Sequence, residues 1–64
     1  MLNDEQHAAL AALTKAGEMT SPELSRVMGV SRLRARQLLL SLVEQGHAQA
    51  QRSLPARVTY RLSR

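Results

Sequence analysis

The chain has 64 residues, nine Lys+Arg against five Asp+Glu for a net charge of +4, no cysteine, and Tyr60 as its one aromatic residue. That length allows one small domain spanning 1–64, and a core drawn mostly from Leu and Ala is too thin for a deep catalytic pocket. The missing cysteines exclude a disulfide framework, a thiolate nucleophile and Cys-based metal sites; no apolar run exceeds the six residues from Ala8 to Leu13, far short of a membrane span, and the acidic start is unlike a signal peptide, so a cytoplasmic protein is expected.

Asn3 before Asp4-Glu5-Gln6 reads as a helix start, with Gln6 completing a capping box and the two acids at the positive end of the helix dipole. Ala8 to Ala16 favour helix, Leu10 and Leu13 share a face, and Gly17 is a stop, which predicts helix one over 4–16. Thr20-Ser21-Pro22-Glu23 is a second capping box with proline in the first turn, so helix two is expected over 21–28 with Leu24, Val27 and Met28 as its apolar stripe. Gly29 interrupts it, Ser31 caps a third helix over 32–45, and Gly46 supplies the stop. The period then changes to two. Ala48-Gln49-Ala50-Gln51 and Val58-Thr59-Tyr60-Arg61-Leu62 read as a hairpin over 47–62, with Arg52 to Arg57 as a proline-containing connection. The fold class is therefore α+β, three helices followed by a two-stranded β-hairpin.

Two short helices joined at Val27-Met28-Gly29-Val30-Ser31 match a helix-turn-helix, and a hairpin directly after it makes the winged variant. The segment 19–62 resembles the winged helix-turn-helix domains of bacterial regulators such as the MarR and GntR groups. The resemblance rests on Thr20-Ser21-Pro22-Glu23-Leu24-Ser25, Met28-Gly29-Val30-Ser31-Arg32, Leu38-Leu39, Leu42, Gly46 and Arg57-Val58-Thr59-Tyr60-Arg61-Leu62. It implies a small transcriptional regulator that binds double-stranded DNA, as a homodimer or within a larger assembly, with helix three in the major groove and the wing on the backbone or minor groove.

The helical wheel gives an independent reading of helix three. With Ala35 at 0° and about 100° per residue, Leu38, Leu39 and Leu42 fall near 300°, 40° and 340°, one buried stripe. Leu33 and Gln37 lie opposite, near about 160° and 200°, flanked by Arg36 near 100° and Arg34 near 260°. Arginine reads guanine and glutamine reads adenine in the major groove. Ser31, Arg32, Leu33, Arg34, Arg36 and Gln37 are accordingly the candidate contacts of the helix, and Arg52 and Arg57 those of the wing tip. No acid close in sequence pairs Arg32, Arg34 or Arg36, the nearest being Glu23 and Glu44.

Charge placement supports the same picture: residues 1–25 hold Lys15 against four acids (−3), and residues 26–64 hold eight Arg against Glu44 (+7). A competing reading comes from Leu33, Leu40 and Val43, an outward apolar strip suited to docking a protein; RNA binding by the basic surface is a third. His7 and His47 are forty residues apart without carboxylate partners, and Gly17, Gly29 and Gly46 are isolated. No metal, cofactor, small-molecule ligand or enzymatic activity is expected.

Overall fold

The structure, a computed structural model, describes residues 2–53 and 57–63. Its elements follow in the order α1 (Asp4–Ala16), β1 (Glu18–Met19), α2 (Ser21–Met28), α3 (Arg32–Glu44), β2 (Ala48–Ser53) and β3 (Arg57–Leu62).

Each helix begins where a side chain satisfies an orphan backbone donor. Gln6 N–H donates to the Asn3 side chain at 2.8 Å while Asn3 N–H donates to Gln6 Oε1 at 2.9 Å, so the box at α1 is closed. Thr20 and Glu23 exchange the equivalent pair at α2. Ser31 Oγ accepts from Arg34 N–H at 3.0 Å and caps α3 alone, since Arg34 occupies the position where a box would need Glu or Gln. The helix ends one residue before the expected Gln45, which becomes the cap. Gly46 has φ +81, and the bonds from His47 N–H to Leu42 O (2.8 Å) and Gly46 N–H to Val43 O (3.0 Å) make this end a Schellman motif.

The turn between α2 and α3 fixes how α3 is presented. Gly29 adopts φ 68, ψ 35, the left-handed region, and a Cβ there would meet no atom within 4 Å. The requirement is conformational, and another residue at this point costs about 1–2 kcal/mol. Ser25 closes the turn: its carbonyl accepts from Gly29 and Val30 N–H at 2.9 and 3.1 Å, and its hydroxyl donates to Val30 O at 2.5 Å.

The sheet has three antiparallel strands in the order β1-β3-β2, one more than the expected hairpin. β1 is two residues long, too short to show a period of two, and forms because the chain between α1 and α2 runs beside β3 in the register Glu18↔Arg61 and Met19↔Tyr60. It makes β3 the central strand and ties the hairpin to the helices. The β2–β3 ladder runs from Ala48↔Leu62 to Ser53↔Arg57, so Arg52 and Arg57, expected in the connection, belong to the strands. The expected turn at Leu54-Pro55-Ala56 lies outside the described residues.

The core consists of Ala9, Leu13, Met19, Leu24, Ala35, Leu38, Leu39, Leu42, Ala48 and Tyr60. Four of these are the α3 stripe read from the wheel. Val27 departs from expectation: Leu24 is buried and Met28 half-buried, but Val27 is 64% exposed, because α2 has only two turns and turns its Leu24 side to α3.

Candidate nucleic-acid interface

Burial of Ala35, Leu38, Leu39 and Leu42 on one side of α3 necessarily turns the other side outward. Arg32, Leu33, Arg34, Arg36 and Gln37 are all exposed, as is the cap Ser31. Along two turns the structure thus brings together three cations, one amide and one apolar side chain. Ser31 Oγ is committed as an acceptor to the helix, which leaves its hydroxyl proton free to donate.

The three arginines differ in a way that their sequence neighbourhood does not reveal. Arg34 Nε donates to Glu5 Oε2 at 3.3 Å and its Nη2 donates to Glu5 Oε1, a two-pronged ion pair from α3 to the first turn of α1. The hydrogen bond from Arg34 holds the Glu5 carboxyl below its ordinary pKa, and Glu5 in turn raises that of the guanidinium. Among the described residues this is the one ion pair within 4.0 Å, so Arg32 and Arg36 stand outside any such pair.

In the wing, strand alternation places Arg57, Thr59 and Arg61 on one face of β3 and Val58, Tyr60 and Leu62 on the other. Arg52 stands opposite Val58 and Arg57 opposite Ser53, so the two arginines occupy opposite faces of the ribbon. Both are exposed. Arg61 lies between Glu18 of β1 and Gln49 of β2, so an acid stands opposite it across the ladder.

An open cleft runs between the start of α2 and β3, lined by Thr20, Ser21, Glu23, Arg26, Arg57 and Val58. The Glu23 carboxyl is held below its ordinary value, first by the Thr20 N–H at 2.7 Å, then by the Thr20 hydroxyl, with smaller contributions from Arg57 and Arg26. Because the folded pKa is depressed, this cap stabilises α2 above the ordinary carboxylate range and is lost as pH falls through the lowered value. Arg26 was not singled out by sequence reasoning, since one arginine at a helix end is ordinarily a dipole partner; only the fold brings it beside Arg57. Glu5 was missed for the mirror reason, as an acid at a helix start.

The outward apolar strip is divided. Leu33 and Leu40 are 63% and 40% exposed, whereas Val43 packs against the core. Among the described residues no group of three or more His, Cys, Asp or Glu is placed to hold a metal, and no helix is long and apolar enough to cross a membrane.

No protein-family model matches the sequence, and no curated protein matches it. Solved structures do. The multiple antibiotic resistance repressor MarR superposes with a TM-score of 0.83 at 22% identity, over 97% of this chain and 46% of MarR. A mutant E. coli MarR complexed with operator DNA gives 0.86 at 22% identity, again over 97% of this chain and 46% of that one. A second crystal structure of the same mutant gives 0.86 at 22% identity, covering 97% of this chain and 47% of that one. The chain therefore has the winged helix-turn-helix fold and spans less than half the length of the structures it matches.

Proposed function

We propose that this winged-helix chain binds double-stranded DNA sequence-specifically, as a small bacterial-type transcriptional regulator in the cytoplasm, alone as a homodimer or as part of a larger assembly. The observation that carries the reading is the outer face of α3: Arg32, Arg36 and Gln37 exposed on the second helix of a helix-turn-helix, with neither arginine engaged by an acid. An Arg and a Gln one residue apart suit guanine and adenine edges in the major groove, and Leu33 suits a thymine methyl. Arg32 and Ser31, at the start of the same helix, are placed for phosphate. The similarity to a MarR structure complexed with operator DNA supports the reading that the partner is duplex DNA. No metal or cofactor enters this reading, and it assigns no catalysis.

Arg52 and Arg57, on opposite faces of the ribbon, are suited to straddling a backbone or entering the minor groove. Phosphate contacts release counterions, so their removal has a distinct signature. Arg52→Ala and Arg57→Ala are each expected to weaken binding to all duplexes alike and to reduce the slope of log K against log salt by about 0.9. Fluorescence anisotropy across a salt series measures this, and absence of any duplex binding by the unmodified chain at low salt would overturn the proposal.

The exposure of Leu33 and Leu40 favours a second reading, a protein-docking module that keeps the winged-helix shape. Val43 contributes little to it, being turned to the core. Competition between duplex DNA and structured RNA separates the proposal from RNA binding by the same surface.

A further inference from the structure

We infer that Glu5 is a specificity-determining positioning residue: from the first turn of α1 it orients the Arg34 guanidinium on α3 so that this arginine reads a base edge instead of seeking phosphate. The inference rests on the DNA-binding reading above.

The geometry of the pair carries it. A guanidinium has five N–H donors in a planar fork. Glu5 takes one from Nε and one from Nη2, at one edge of the plane. The edge formed by Nη1 and Nη2 keeps its own fork, and a fork of that shape fits O6 and N7 of guanine. Arg34 lies in the first turns of α3, and the N-terminal residues of a recognition helix are those that contact base edges. The carboxylate also cancels most of the guanidinium's charge as seen from a distance, which weakens its pull on phosphates in general while leaving directional donors in place.

Glu5 is itself held. The capping box between Asn3 and Gln6 fixes the first turn of α1. Gln6 Nε2 then donates to Ser41 Oγ at 2.9 Å, and Ser41 Oγ donates to Leu38 O at 2.7 Å, which pins that turn to α3. Both partners of the pair therefore stand on helices docked through a chain of satisfied hydrogen bonds. An exposed ion pair contributes little to stability, so this rigid support serves the placement of the arginine more than the persistence of the fold.

The test uses a duplex enriched by the unmodified chain from a random-sequence pool, a scrambled duplex of the same composition, and a salt series. For Glu5→Gln we expect tighter binding to the scrambled duplex, a salt slope steeper by about 0.9, and a selected-to-scrambled affinity ratio lower by about tenfold. For Arg34→Lys, which keeps the charge and loses the fork, the ratio should fall while the slope stays near that of the unmodified chain. A thermal melt of each variant confirms that the fold persists; if Glu5→Gln melts early, Glu5→Asp decides instead, since it keeps the charge and shortens the reach, so the ratio should fall with the slope unchanged, and an unchanged ratio overturns the inference. Unchanged ratio and slope in Glu5→Gln, or an unchanged ratio in Arg34→Lys, overturn the inference while the DNA-binding reading stands. An unmodified chain that enriches no sequence and binds no duplex overturns both.

Discussion

Leu39→Ala is expected to destabilise the fold by about 2–5 kcal/mol and to lower its urea midpoint sharply. Leu39 is fully buried on α3, flanked on the same stripe by Ala35 and Leu42. Truncating a buried leucine costs about 2–5 kcal/mol through lost transfer energy and the cavity left behind. A domain of this length has roughly 3–10 kcal/mol of stability in all, and among the described residues ten, three of them alanines, make up its buried core. The change therefore removes a large share of what holds the chain together. Leu33→Ala is the internal control: the same substitution on the same helix, but on a side chain 63% exposed, should move stability by no more than about 0.5 kcal/mol. Urea denaturation followed by circular dichroism at 222 nm compares them, and equal midpoints for the two variants would contradict the burial pattern on which the outward face of α3 depends.

The second large effect is on recognition. Gln37→Ala removes no charge, so it should leave binding to a scrambled duplex unchanged and weaken binding to a selected duplex by about 1–3 kcal/mol, or roughly 5- to 150-fold. Arg36→Ala should lower the selected-duplex affinity by a similar factor and also cost a little on every duplex, because a cation is lost with the base contact. The two positions adjoin, so the double variant is expected to fall short of the sum of the single effects. Anisotropy titrations at one salt concentration distinguish this from a uniform loss in Gln37→Ala, which would remove Gln37 from the base-reading surface.

Most of this architecture is legible in the chain because its local signals agree with one another. Asn3 with Gln6, Thr20 with Glu23, and Ser31 each place a helix start, and Gly29 and Gly46 place the breaks, all through interactions spanning a few residues. The buried side of α3 follows from periodicity alone. What escapes is whatever depends on chain segments meeting from a distance. β1 has no periodicity of its own and exists only beside β3. Val27 has the spacing of a core residue, yet a two-turn helix cannot bury Leu24, Val27 and Met28 equally.

The charge pattern is the clearest case. In sequence the acids of residues 1–25 stand apart from the arginines that follow; in the fold Glu5 meets Arg34, Glu18 faces Arg61 across the ladder, and Glu23 lies near Arg57 and Arg26. Folding thus brings acids close to several arginines and, among the described residues, leaves Arg32, Arg36 and Arg52 without such a neighbour. The candidate surface is narrower than the sum of charges implies, and it is centred on α3.

The central claim is that this face of α3 and the wing meet a DNA duplex, and amide chemical-shift mapping on a selected duplex tests it most directly. The predicted result is perturbation concentrated at residues 31–37 with Arg52 and Arg57, growing smoothly with added DNA. Perturbation confined to the neighbourhood of Leu33, Leu40 and Val43 on adding a protein partner, with residues 31–37 and the wing silent to duplex DNA, would contradict it.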